Sequence, residues 1–232
     1  MQKEKAETAI QTIDRQEVET YNNYWVGIKP ENDDEYYWRW IFSFLSVHTT
    51  WQKNVDSYLS LRETKDVWQK DKQELMNQIK AGGVGLNIRR TDGIWAFTDS
   101  FYKNPELWKK RGNESWINCR NRLANKCNGL GLAKTAFALE MCYPDECGSV
   151  CLDTHMLQLY GYTPKEQANG RKPKAYLQME KHWAKVCKVN QIAPFMARSI
   201  FWDKNQQRTD SRYWTYIFEK KNELSTHSEY DI

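Results

Sequence analysis

Long stretches of the chain repeat their apolar positions at the helical period rather than alternating, and that period predicts helices. Ala9, Ile10, Ile13 and Val18 recur in a polar background, which predicts one amphipathic helix over 4–22. The run from Tyr36 to Leu45 is densely apolar and aromatic, so it predicts a buried helix. Further helices are predicted over Gln52–Leu61, Lys65–Ile79, Ile88–Phe101, Trp116–Cys127 and Ala133–Met141. Another is headed by Asp153, and two more span 174–190 and 194–203. The breaks fall at 29–35, at Ala81-Gly82-Gly83-Val84-Gly85, at Asn104-Pro105, at Gly112-Asn113, at Tyr143-Pro144-Asp145 and over 164–173. There is no internal repeat and no strand-like run. The pattern therefore predicts an all-α fold, with ten or more helices. The polar tail from Leu224 is expected to fray.

Composition narrows the class. The chain has 232 residues, 40% hydrophobic and 28% charged, a soluble globular balance that excludes disorder over most of its length. It is long enough for one medium domain or two small interleaved ones. No stretch approaches the roughly 18 consecutive apolar residues of a membrane span, so no membrane partner is expected. The segment Met1–Glu7 lacks the apolar core of a secretory signal, which points to an intracellular protein of the cytoplasm or nucleoid. The net charge of +4 permits nucleic acid as a partner without requiring it. An aromatic fraction of 14%, with 11 Trp and 13 Tyr, is unusual; some of these rings are expected in the core and others are candidates for stacking on bases. Cys119, Cys127, Cys142, Cys147, Cys151 and Cys187 form no C-x-x-C pair. In a reducing compartment they read as buried free thiols. The spacing of Cys142, Cys147 and Cys151 does not fit a zinc ribbon, and no metal is expected.

The chemistry concentrates in one window. Cys127-Asn128-Gly129-Leu130-Gly131-Leu132-Ala133-Lys134-Thr135-Ala136 joins two predicted helices through a Gly-x-Gly turn. Glycine permits the positive φ of such a turn. The N–H groups and dipole at the start of the second helix favour a phosphate. A hairpin of this kind grips a DNA backbone without reading its sequence. Downstream stands Val150-Cys151-Leu152-Asp153-Thr154-His155.

These motifs resemble the helix–hairpin–helix DNA glycosylase superfamily. Leu152-Asp153-Thr154-His155 is similar to its Val-Asp-Thr-His signature. Lys134, nineteen residues before Asp153, falls at the spacing of the lysine that marks bifunctional members. Phe44-Leu45-Ser46-Val47-His48-Thr49-Thr50 and Gly85-Leu86-Asn87, with Arg89 and Arg90, resemble the Leu-Ser-x-Gln-x-Thr and Gly-Leu-x-Asn-x-Lys segments of the endonuclease III branch. The similarity runs in order over roughly 36–160. Short helical proteins of tailed phages carry similar Gly-Leu-Gly-x-x-Lys and Cys-Leu-Asp-Thr-His patterns, so a phage-type member acting in a host cell is included. Three features depart from the family, the first being Asn128 before the first glycine in place of the common Pro. Leu132 and Ala133 separate Gly131 from Lys134, where the usual hairpin has one residue. In strict register Ala133 takes the lysine slot; with a one-residue insertion Lys134 does. No Cys follows Cys187, so the resemblance implies no iron–sulfur cluster.

The resemblance implies a two-domain helix–hairpin–helix glycosylase fold. A central helical domain over 28–146 would hold the hairpin, and 1–27 plus 147–232 would form the second. It implies a monomer that acts on double-stranded DNA carrying a damaged or modified base, without a cofactor. Asp153 would stabilise the positive charge that builds on the sugar as the glycosidic bond breaks, or simply cap its helix. Lys134 would attack C1′ and form a Schiff base that leads to strand cleavage, the AP-lyase reaction. Gly129, Leu130, Gly131 and Leu132 would seat a phosphate. His48 would fill the hole left by a flipped base, or serve as a core or capped histidine. Leu86 or Asn87 would wedge the duplex, because the target base must leave the stack. Arg89 and Arg90 read as phosphate contacts or surface charges. Two alternatives stay open: a monofunctional glycosylase using water activated by Asp153, and a non-catalytic DNA-binding protein. Oxidised pyrimidines, 8-oxoguanine and 5-hydroxymethyluracil all remain candidate bases.

Overall fold

The structure is a computed structural model that describes residues 2–205. The tail from Leu224, expected to fray, lies outside the described residues. Among these residues there are thirteen α-helices, one short 3-10 helix at Pro105–Trp108 and no strand. In chain order the helices are α1 Lys3–Gln11, α2 Arg15–Gly27, α3 Asp33–Leu45, α4 Trp51–Glu63, α5 Lys65–Trp68, α6 Lys72–Ala81 and α7 Asn87–Lys103. They continue as α8 Trp116–Lys126, α9 Leu132–Cys142, α10 Thr154–Leu159, α11 Gln167–Gly170, α12 Pro173–Val189 and α13 Pro194–Asn205. The all-α expectation holds, and no described helix is long and apolar enough to cross a membrane.

Three expected elements differ. The single helix over 4–22 is two helices. Asp14 caps α2 by accepting from the amides of Gln16 at 2.7 Å and Glu17 at 3.2 Å, so the chain restarts there. The helix over Lys65–Ile79 is likewise broken, because Asp71 accepts from the Gln73 amide at 2.8 Å and starts α6. The loop over 164–173 contains the short α11.

The chain forms two compact units. One is Pro30–Tyr143; the other joins the residues up to Lys29 with the described residues from Pro144 on. In the first, α3 is the central helix. Asn32 caps it, accepting from the Glu35 amide at 3.0 Å, and Asp33, Asp34 and Glu35 suit its positive end. Every residue from Tyr36 to Leu45 is buried. Around α3 the rings interlock edge to face and stacked: Phe97 lies 4.7 Å from Trp108 and 5.4 Å from Tyr37, and Trp40 lies 5.3 Å from Trp108. Most of the described aromatic rings are thus core. In the second unit Trp25 packs on Phe195 at 4.8 Å, and the Trp183 indole donates to the Pro194 carbonyl at 3.0 Å. Here α1 docks on α12 through His182, whose ring meets Glu7 at 2.9 Å and Tyr160 at 2.9 Å. All six cysteines are buried free thiols. Burial pushes the thiols of Cys119, Cys127 and Cys187 up to about 12.

Candidate active site

The Gly-x-Gly turn joins α8 to α9. Gly129 takes φ +100°, a conformation that an L side chain rarely adopts. Leu130 is buried and anchors the turn, so only its backbone is available to a ligand. Gly131 is the N-cap of α9 in extended backbone, and its carbonyl accepts the first helical bond, from Thr135, at 3.0 Å. The amides of Leu132, Ala133 and Lys134 precede that bond and have no intrahelical acceptor. They and the helix dipole make an anion seat.

Lys134 lies in the first turn of α9 and is half-buried. Its carbonyl accepts from Ser43 Oγ at 2.6 Å, which ties the turn to α3. Its Nζ lies 5.1 Å from the centre of the Phe137 ring, a face that attracts an ammonium. That ring in turn lies 6.3 Å from Phe42.

Beside the hairpin is a cleft of about 280 Å³ lined by Phe44, Val47, His48, Leu86, Arg89, Arg90, Gly129 and Gly131. Five of the residues expected at a DNA interface therefore meet in one place: His48, Leu86, Arg89, Gly129 and Gly131. His48 ends the turn after α3 and Leu86 caps α7, and both hold the left-handed conformation at φ 49°. Both are exposed, as is Ile88. Asn87 turns differently, with its amide oxygen buried and unpartnered among the described residues. Of the two wedge candidates, Leu86 is the one that faces solvent.

Arg90 departs from expectation. It is no surface charge but a buried clamp, 4% exposed. Its Nε donates to the Phe44 carbonyl at 3.2 Å and its Nη1 to the Gly85 carbonyl at 2.7 Å. The carbonyls of Val47 and Val84 accept the remaining short bonds. One guanidinium thus staples the turn that carries His48 to the loop that carries Leu86. Burial lowers its pKa to about 10, which leaves it charged at neutral pH. Its described partners are carbonyls and the Thr49 hydroxyl, not carboxylates. A signal was present in the sequence: Arg90 falls on the stripe of Ile94, Phe97 and Phe101, all buried on one face of α7.

Asp153 is the N-cap of α10. Its Oδ1 accepts from the amides of His155 at 3.0 Å and Met156 at 3.1 Å, and Oδ2 takes neither bond. The capping role and a carboxylate oxygen outside the cap therefore coexist in one half-buried side chain. His155 Nδ1 meets the Asn205 amide at 2.6 Å, and its ring lies 6.4 Å from Trp202. No group of three or more His, Cys, Asp or Glu that could hold a metal occurs among the described residues.

The described residues, all helical around this hairpin, share their fold with solved DNA glycosylases. Two solved structures share it. The 8-oxoguanine DNA glycosylase of Thermotoga maritima matches with a TM-score of 0.64 and 18% identity, over 89% of this chain and 93% of that one. The 8-oxoguanine DNA glycosylase of Methanocaldococcus jannaschii matches with a TM-score of 0.62 and 16% identity, over 83% of this chain and 84% of that one. No protein-family model matches the chain, and no curated protein does.

Proposed function

We propose that this protein is a DNA glycosylase of base excision repair that removes a damaged base from double-stranded DNA and then nicks the abasic site. The observation that carries the reading is the hairpin itself: Lys134 stands in the first turn of α9, within a fold shared with two 8-oxoguanine DNA glycosylases. The amides that open α9 would hold a phosphate of the damaged strand. His48 and Leu86, facing the basic cleft, would fill and wedge the stack from which the base has left.

In this mechanism the Lys134 amine attacks C1′. The C1′–N bond breaks and the base leaves with the electron pair, taking up a proton, while the amine loses one. Opening of the C1′–O4′ bond, with O4′ taking up a proton from solvent, gives a protonated Schiff base. That group acidifies C2′, so loss of a C2′ proton expels the 3′ phosphate and cuts the strand. The Asp153 carboxylate stabilises the positive charge that builds on the sugar, while its Oδ1 stays engaged by two amides. No step requires a metal or an organic cofactor. 8-Oxoguanine is the first base to test, because both structural neighbours are named for it; oxidised pyrimidines and 5-hydroxymethyluracil follow.

Borohydride reduction on duplex DNA with an abasic site tests the lysine chemistry. A covalent complex that is lost in Lys134→Ala is the expected result. Base excision without that complex, visible as breaks only after hot alkali, assigns water as the nucleophile. Binding with neither activity assigns a non-catalytic hairpin.

A further inference from the structure

Asp153 enters α10 from a segment that is neither helix nor strand. Val150, Cys151 and Leu152 are buried in it, so their backbone groups need partners within the protein. Two side chains of α12 supply them. The Tyr176 hydroxyl donates to the Val150 carbonyl at 2.6 Å and accepts from the Leu152 amide at 3.1 Å. Glu180, one turn further along, accepts from the Val150 amide at 2.9 Å. The Asp153 amide closes a tight turn onto the Cys151 carbonyl at 3.1 Å. Tyr176 is 1% exposed and Glu180 0%.

Two physical points give this clamp its meaning. The helix that Asp153 caps has only six residues, too few to fix its own direction without tertiary support. The aim of the carboxylate is therefore set by the segment in front of it. Burying a carboxylate also costs desolvation that an apolar side chain on α12 would avoid. What Glu180 gives this segment is an acceptor for one particular amide.

We propose that Tyr176 and Glu180 are positioning residues for Asp153: they bind the Val150–Leu152 backbone to α12 and so aim the carboxylate during base excision. The proposal rests on the reading of Asp153 as the excision carboxylate. Neither residue touches the reacting atoms.

The test is a double-mutant cycle in the full-length protein, under single-turnover conditions, on duplex DNA carrying a base that the wild type excises. Tyr176→Phe keeps the ring and removes the hydroxyl. It should lower the maximal excision rate about 10- to 100-fold, the penalty typical of a small misplacement. The half-saturating protein concentration should stay within about twofold. In an Asp153→Asn background the same substitution should change the residual rate by less than about twofold, because the group it positions is already gone. Glu180→Gln keeps an acceptor oxygen and should retain most of the rate, while Glu180→Leu should behave as Tyr176→Phe does. An unchanged rate in Tyr176→Phe overturns the proposal, and so does an equal loss in both backgrounds. If Tyr176→Phe does not fold, equal rates in Glu180→Gln and Glu180→Leu overturn it. Full excision by Asp153→Asn alone is a different failure: it removes the role of Asp153 itself, and it is read before Tyr176 is touched.

Discussion

Gly93 on α7 and Asn128 in the hairpin turn approach so closely that a β-carbon on Gly93 would lie 2.5 Å from the Asn128 carbonyl oxygen. The same carbon would lie 3.0 Å from Phe44. Gly93→Ala must therefore push the turn away from α7 or break the packing beneath it. The expected cost is about 2 kcal/mol of stability, the usual scale for overpacking. DNA affinity should fall with it, because Gly129 and Gly131 move. Urea unfolding together with binding to an undamaged duplex checks both; a stable variant with unchanged affinity contradicts the role given to this contact.

Lys134 and Asp153 should separate by substitution. Lys134→Ala should abolish the borohydride-trapped complex yet keep the fold, since alanine is a good helix former and the lysine side chain is only half-buried. Asp153→Asn should cut excision by orders of magnitude while keeping DNA binding, because asparagine caps a helix about as well as aspartate. Trapping by Lys134→Ala at the wild-type level would assign the nucleophile to another amine.

Adjacent arginines should give opposite phenotypes. Arg90→Met strips partners from buried carbonyls and should destabilise the protein by about 3 kcal/mol. Arg90→Lys should restore little of this, because one ammonium cannot span carbonyls from two loops. Arg89→Ala should leave stability within about 0.5 kcal/mol. If Arg89 contacts one phosphate, its loss should lower the log–log salt slope of DNA binding by about 0.9. Thermal melts and a salt titration distinguish the two.

Acid should weaken the support of the hairpin's first helix. Arg122 on α8 pairs with Glu114 at 2.7 Å and 2.8 Å and also donates to the carbonyls of Leu107 and Lys109. The hydrogen bonds from the guanidinium hold the Glu114 carboxyl down at about 2, below the value of about 4.3 for a free chain. A carboxyl whose pKa is lowered in the folded state contributes stability above the unfolded value. That contribution is lost as pH falls from there through about 2. Melting temperature should thus drop over this range, and Glu114→Gln should flatten the drop while lowering stability by about 2 kcal/mol at neutral pH.

The hairpin was legible because glycines punctuate two strongly periodic segments, and chain geometry does the rest. Asp153 was legible for a similar local reason, since a cap acts within three residues of itself. The interruptions at Asp14 and Asp71 were missed because the apolar period runs on across them, and only one capping acid marks each break. Arg90 was misjudged by residue type: a charge beside another charge reads as surface, while its place on the stripe of Ile94 and Phe97 says interior. Glu180 carries the same kind of signal, since it lies on the buried stripe of Tyr176, Trp183 and Cys187 on α12, but the backbone groups that it and Tyr176 hold left no trace in the sequence. Those groups lie 26 and 30 residues away, and backbone atoms carry no residue identity.

The bond between His182 and Glu7 joins residues 175 positions apart, with the whole of Pro30–Tyr143 between them. During synthesis the inserted unit emerges complete before the helix that receives α1 exists. At roughly 5–20 residues per second, α1 waits on the order of ten seconds or more for its partner. The polypeptide therefore has a built-in order of assembly: the hairpin-bearing unit can mature on the ribosome, whereas the unit carrying Asp153 closes only once α12 has emerged. A nascent chain arrested before α12 would display the hairpin without the finished scaffold of the Asp153 carboxylate.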